Sequence, residues 1–255
     1  MTRRRWIADR WEGNRAFLTG NHAQHLARVL RARVGQEFDI ATGDEVRLGR
    51  IVAISEEQVE FELGEAVARP DQGQVSLLLA VFKFDRMEWA IEKATELGVK
   101  SITPVICRRT DAHLATAAAK RVERWRRIAR EAAEQSRRAA PPEIAEPVKL
   151  GEAIALRAEI RVVLSESEHA RSLRGALEQR VTGETPVLRS AILAVGPEGG
   201  WTEDELRAFV EAGWTPASLG TTILRAETAA VAAVAIASAL QVGPSLRDLG
   251  EEESR

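Results

Sequence analysis

The chain has 255 residues, 45% hydrophobic and 29% charged, an ordinary balance for a globular protein with one large core or two small ones. Its net charge of −2 excludes a protein that is basic all over and leaves nucleic-acid binding to local patches. One cysteine, Cys107, excludes an internal disulfide, speaks against a cysteine-based metal site and fits a reducing cytoplasm.

No apolar core of signal-peptide length follows Arg3-Arg4-Arg5, and the longest apolar run, 229–240, is too short to cross a bilayer. No membrane partner is expected. Residues 1–72 read as a small β-rich domain. Val46 and Leu48, then Val59, Phe61 and Leu63, alternate with period two, and 51–54 is more continuous. One helix interrupts the strands, with Asn21 as its cap, Gln24 three residues on, and Leu26, Val29 and Leu30 as its apolar stripe. Arg69-Pro70-Asp71-Gln72-Gly73 has linker composition and marks a boundary.

From 73 to 243 strands and helices alternate, which predicts a mostly parallel sheet with helices on both faces. Strands are expected at 75–82, 99–107, 161–164 and 190–195. A helix from Asp85 carries Met87, Ala90, Ile91, Ala94 and Leu97 on one face and ends at Gly98. A long helix is expected over 115–138, stopped by Pro141-Pro142. Thr202 and Glu205 form a capping box for a helix closed by Gly213. The last helix, 227–240, is coated with alanine, which suits either a buried core helix or a subunit interface. The stretch 244–255 reads as a polar, frayed tail.

Three features could carry chemistry. Ile192-Leu193-Ala194-Val195 runs into Gly196-Pro197-Glu198-Gly199-Gly200, a strand, glycine loop and helix start. Such a loop often cradles phosphate, but this one lacks the lysine of a P-loop and the glycine spacing of a dinucleotide fold. Glu198 would repel phosphate and suits a ligand with hydroxyls, amines or positive charge, such as S-adenosylmethionine. A pair of structural turns is the alternative. Secondly, the long helix holds Lys120, Arg121, Arg124, Arg126, Arg127, Arg130, Arg137 and Arg138 against Glu123, Glu131 and Glu134. With Trp125 this is either a solvated face or an RNA-binding one. Arg3, Arg4, Arg5, Arg28, Arg31 and Arg33 make a second basic cluster, so two domains could clamp one RNA. Thirdly, Lys83 and Arg86 follow the first strand of the second domain, where open α/β sheets place ligands, or they serve the helix start. His22, His25, His113 and His169 show no hydrolase grouping or metal spacing.

Gly196-Pro197-Glu198-Gly199-Gly200 followed by Leu219-Gly220-x-x-Ile223-Leu224-Arg225-x-Glu227-Thr228-Ala229 resembles the paired signature of the bacterial 16S ribosomal RNA uracil-N3 methyltransferases, members of the SPOUT class. Further matches are His25-Leu26-x-x-Val29-Leu30-Arg31, Lys93 to Val99 with Pro104, and Arg124-Trp125 with Glu131 to Ser136 and Arg138. The sequence departs from the family at Gln24, at Arg109-Thr110 and at Thr222, where the family carries an arginine.

The resemblance implies a PUA-like RNA-binding β-barrel followed by a methyltransferase domain with a deep trefoil knot. It implies a homodimer acting on 16S rRNA, within the assembled small subunit, to give 3-methyluridine. S-adenosylmethionine would bind Leu193, Gly196, Pro197, Glu198, Gly199, Gly200, Leu219, Gly220, Ile223, Leu224, Ala226 and Thr228. RNA would meet Arg4, Arg28, Arg31, Lys83, Arg86, Arg109, Arg124 and Arg138. Uracil N3 must lose its proton, so Arg225 is expected as the stabilising cation and Glu131 as a base, with Glu198 and Glu227 as other bases. No metal is expected. The alternative is a non-catalytic RNA-binding protein that retains the fold.

Overall fold

The computed structural model describes residues 4–43, 45–68, 74–178 and 190–240. The expected linker at 69–73, the tail from 244 and Arg3 lie outside them. The chain divides into two compact units: residues up to 71 with Arg130–Pro141, and 72–129 with everything from Pro142 onward.

The first unit is a six-stranded sheet in the order β1-β4-β5-β6-β3-β2, from β1 (Arg5–Ile7), β2 (Arg10–Glu12), β3 (Arg15–Thr19), β4 (Glu37–Ala41), β5 (Val46–Ile54) and β6 (Gln58–Ala68). Only β1 and β4 pair in parallel. Its inward side chains, Trp6, Ala16, Leu18, Leu26, Ile40, Ile51, Val59 and Phe61 among them, share one core. Val59, Phe61 and Leu63 alternate inward as their pattern predicts. In β5 the alternation fails: register shifts at Val46/Arg47 and Arg47/Gly49 turn Gly49 inward and leave Leu48 half-buried. A side chain at Gly49 would meet Ile40 Cγ1 at 2.3 Å, so glycine is required there.

The early helix also differs from its prediction. Helix α1 (Gly20–Gln24) starts before Asn21 and passes into a π-helical turn, His25–Val29. Tertiary partners replace the local cap: the Thr19 N–H donates to Asp9 Oδ2 at 2.7 Å and the Gly20 N–H to the Glu57 carbonyl at 3.1 Å.

The second unit is a seven-stranded sheet in which every pair is parallel, in the order β10-β8-β7-β12-β11-β13 with β9 beside β8. The strands are β7 (Val75–Ala80), β8 (Ser101–Ile106), β9 (Glu143–Ile144), β10 (Val148–Lys149), β11 (Ile160–Leu164), β12 (Ala191–Val195) and β13 (Thr215–Ala217). On one face Leu77, Leu79, Leu193 and Val162 pack with residues of α2 (Phe84–Glu96), α6 (Leu173–Glu178) and α8 (Ala226–Ala239). On the other, Leu78, Ala80, Val163 and Ile192 pack with residues of α5 (Leu150–Ile154) and α7 (Glu203–Glu211). Burial on both faces explains the continuous apolar runs of β7 and β12.

The long basic helix is three pieces: α3 (Ala112–Ala117), a 3-10 turn (Ala118–Arg121) and α4 (Val122–Gln135). It ends before the prolines, because Arg137 takes a left-handed φ of 59° and the Arg138 N–H returns to the Ala133 carbonyl at 2.8 Å. Trp125 is fully buried, edge-on to Phe84 at 5.9 Å, and so is a core residue rather than a stacking platform for bases. Among the described residues no helix is long and apolar enough to cross a membrane.

Candidate functional site

Three neighbouring strands, β12, β11 and β13, end on one side of the second unit's sheet, and the loops after them line a cleft of about 300 Å³. The first loop supplies Gly196, Pro197, Glu198, Gly200 and Trp201, and the loop after β11 supplies Ser165, Glu166 and His169. Ser218 to Leu224 follow β13, and Ala226 and Ala229 close the wall from α8. Nine of the twelve residues expected to hold the cofactor line this cleft. Leu193 is buried in the core beneath it, Thr228 is exposed on α8, and Gly199 sits against Arg109.

Loop shape follows from close approach. A side chain at Gly196 would meet the Trp201 ring at 3.2 Å, and Gly200 has a φ of +69° with Glu166 Oε1 3.2 Å from where a Cβ would stand. Trp201 is buried and donates from Nε1 to the Leu164 carbonyl at 3.1 Å, tying this loop to the end of β11. The predicted capping box is present: the Glu205 N–H donates to Thr202 Oγ1 at 3.3 Å, and the Thr202 N–H to Glu205 Oε2 at 2.8 Å. In the second loop, Ser218 Oγ donates to the Gly220 carbonyl at 2.9 Å. Among the described residues none hydrogen-bonds to the main chain of Thr221, Thr222 or Ile223, so those polar groups are left for solvent or a ligand.

The charges around the cleft are ordered. Among the described residues no lysine or arginine lines it, whereas Glu166 and Glu198 do. Arg86 Nη1 lies 2.8 Å from Glu198 Oε1 and 3.8 Å from Glu227 Oε1, with Lys83 Nζ 4.0 Å from Glu198 Oε2. Arg109 donates to the Gly199 carbonyl and, at 3.4 Å, to that of Trp201. Two of the arginines expected at RNA thus engage the glycine loop. Arg225 occupies the N-cap position of α8 without a side-chain cap bond and is exposed, with no ion pair to any described residue. Glu131 is exposed on α4 and does not line the cleft.

The other basic positions are spread out. Arg124 makes a bidentate pair with Glu88 at 2.6 and 2.8 Å. Arg138 is half-buried, and burial pushes its guanidinium down to about 10. In the first unit Arg4 lies over the Trp6 ring at 5.2 Å, Arg28 pairs with Glu56, and Arg31 is exposed in a left-handed turn with a φ of 49°.

Ser165, Glu166, His169 and Trp201 were missed from sequence. Ser165 and Glu166 directly follow the carboxyl end of β11, where open α/β sheets place ligands, and that position is the signal for them.

The profile of the RNA methyltransferase domain family matches residues 69–238, and that of the RNA methyltransferase PUA domain matches 18–64. The fold and the loop-built cleft are thus those of an RNA methyltransferase preceded by a PUA domain. The chain is 33% identical to the ribosomal RNA small subunit methyltransferase E of Synechocystis sp., over 88% of this chain and 72% of that one. It is 32% identical to that of Rickettsia conorii, over 88% and 89%. It belongs to the ribosomal RNA small subunit methyltransferase E family. The crystal structure of the Neisseria gonorrhoeae member, bound to S-adenosyl methionine, aligns with a TM-score of 0.79 at 28% identity over 95% of this chain and 99% of that one.

Proposed function

We propose that this protein transfers a methyl group from S-adenosylmethionine to N3 of a uridine in the decoding region of 16S rRNA, giving 3-methyluridine. One observation carries the reading: both signature loops line a single cleft with glycine-built walls, two carboxylates and, among the described residues, no lysine or arginine. That lining suits a ligand with an ammonium, hydroxyls and a sulfonium, and opposes a phosphate. Its volume of about 300 Å³ is at the lower end for small-molecule sites.

When bound, S-adenosylmethionine supplies an electrophilic methyl group on a cationic sulfur. The residues of this chain have three tasks. Main-chain groups of Thr221 to Ile223 and the loop from Gly196 to Gly200 would hold and orient the cofactor. Positioning of both reactants can supply up to about 7–11 kcal/mol of the barrier. Arg225, exposed beside the cleft-lining Leu224 and Ala226, stabilises the uridinate oxygens as the N3 proton leaves. For the acceptor of that proton, Glu131 competes with the cleft's own Glu166 and Glu198. Full activity in Glu131→Gln would move the role to the cleft carboxylates.

Arg4, Arg28 and Arg31 in the PUA unit are the proposed RNA contacts, with Arg124 and Arg138. Each phosphate contact removed should flatten the salt dependence of RNA binding by about 0.7–0.9 in log–log slope. Ile223 lines the cleft yet is 80% exposed, which favours a homodimer in which a second copy covers it. The trefoil knot and action on the assembled subunit belong to the same reading, as does a cytoplasmic location.

Mass spectrometry of nucleosides from 16S rRNA tests it. Cells lacking the protein should lose one 3-methyluridine, and the wild-type gene should restore it. Unchanged rRNA, together with no S-adenosylmethionine binding, would point to a non-catalytic RNA-binding protein.

A further inference from the structure

We propose that Arg86 is a positioning residue for methyl transfer, bridging the two signature loops so that Glu198 presents a fixed carboxylate to the cleft. The inference rests on the reading of the cleft as the S-adenosylmethionine site. Arg86 stands in the first turn of α2, and its Nη1 reaches Glu198 in the first loop at 2.8 Å and Glu227 in the first turn of α8 at 3.8 Å. One guanidinium nitrogen therefore serves two carboxylates from segments almost thirty residues apart in sequence. Glu198 lines the cleft, whereas Arg86 and Glu227 do not, so Arg86 acts on a ligand only through Glu198.

Burial explains why an arginine is needed. Glu227 is only 8% exposed, and its Oε2 has no hydrogen-bond partner among the described residues. Arg86 is the cation within ion-pair distance of it there. A buried carboxylate stripped of its cation is costly and repels a second carboxylate nearby. Lys83 lies at the limit of contact with Glu198, at 4.0 Å, and is a weak substitute. A guanidinium is also more weakly hydrated than an ammonium, which suits it to a partly buried ion pair. With Glu198 held in this way, the cleft keeps a negative wall oriented towards a cationic ligand, without a mobile side chain to order on binding.

Two roles for Arg86 can be separated. If it only neutralises buried Glu227, removing both charges should restore everything. If it also orients Glu198, the double variant should regain stability but not affinity. Calorimetric titration of the full-length protein with S-adenosylmethionine, beside thermal unfolding, reads both. We expect Arg86→Met to lower Tm and to weaken binding about tenfold, as loss of a charge-assisted contact would. Arg86→Met with Glu227→Gln should recover Tm and stay about tenfold weak, matching Glu198→Gln alone. Arg86→Lys should recover part of the affinity. Full recovery of affinity in the double variant, or wild-type affinity in Arg86→Met, would overturn the inference. A wild-type protein that takes up no S-adenosylmethionine would overturn the reading of the cleft, and the inference with it.

Discussion

Glu205 Oε1 accepts the backbone N–H of Arg108 at 2.7 Å, joining the start of α7 to the turn after β8. The same carboxylate closes the capping box with Thr202, so one buried side chain holds both the glycine loop's exit and the segment bearing Arg109. Replacing it with alanine leaves the Thr202 hydroxyl capping the helix but removes the acceptor of both the Thr202 and the Arg108 N–H, at a cost of about 0.5–1.5 kcal/mol each. Glu205→Ala should therefore unfold at a measurably lower denaturant midpoint and bind S-adenosylmethionine more weakly. An unchanged midpoint would mean the loop is held by other contacts.

Gly200 and Gly151 form a contrasting pair. Gly200 has a φ of +69°, whereas Gly151 lies within α5 with nothing within 4 Å of where a Cβ would stand. Alanine at Gly200 should cost about 1–2 kcal/mol through its backbone and raise the KM for S-adenosylmethionine. Alanine at Gly151 should be neutral or stabilising by up to about 1 kcal/mol. Chemical denaturation of both variants, with steady-state kinetics, gives the comparison.

Arg225→Ala tests the electrophilic role. Loss of a preorganised charge should lower kcat about 10²–10³-fold while S-adenosylmethionine affinity, measured by calorimetry, stays within about twofold of wild type. A change confined to affinity would make Arg225 part of the cofactor's wall instead.

His22 sets a pH dependence for the first unit. Its Nδ1 lies 3.1 Å from Asp9 Oδ2, while Arg130 Nη2 sits 2.8 Å from Asp9 Oδ1 and Glu134 Oε1 3.6 Å from His22 Nε2. The Asp9 hydrogen bond, against burial and with the charge of Glu134, raises the imidazole above its usual 6.5. Burial pushes Asp9 up, but the His22 bond, the Thr19 N–H and Arg130 outweigh it, and its carboxyl falls below 3.8. Burial raises Glu134 above 4.5. The His22 contribution is fully present below 6.5 and lost as pH rises through its folded value; that of Asp9 is present above 3.8 and lost on acidification through its lower folded value. Glu134 works in the opposite sense to Asp9, because its raised value penalises the ionised form. Amide exchange in β1 and β3 should accelerate as pH rises beyond 6.5 through the folded value, by more than the intrinsic increase, and His22→Gln should remove that excess. Equal excess in both proteins would exclude His22 as its source.

Several features were legible from the residues alone. The paired motifs named the family, and the apolar run 75–82 read as a strand of the kind buried on both faces. The capping box of Thr202 and Glu205 was visible because it is local, its partners three residues apart. Boundaries that depend on distant partners were not: α1 starts where Asp9 and Glu57 take its amides, and α4 stops where Arg137 turns left-handed. Trp125, grouped with arginines in sequence, lies on the helix's inner face and packs on Phe84.

The division is physical. Composition, hydrophobic period and short motifs determine which elements form and which family's loops they carry, since those signals act within a few residues. Only the tertiary structure decides what a charged side chain is for. From the chain, Arg86 and Arg109 are expected at RNA and Arg225 at the uridinate. In the fold, Arg86 lies between two carboxylates brought from separate loops, Arg109 braces the carbonyls of a glycine turn, and Arg225 stands exposed at the head of α8. Coulombic and hydrogen-bond energies depend on separations of a few ångströms, which the order of residues along the chain does not contain.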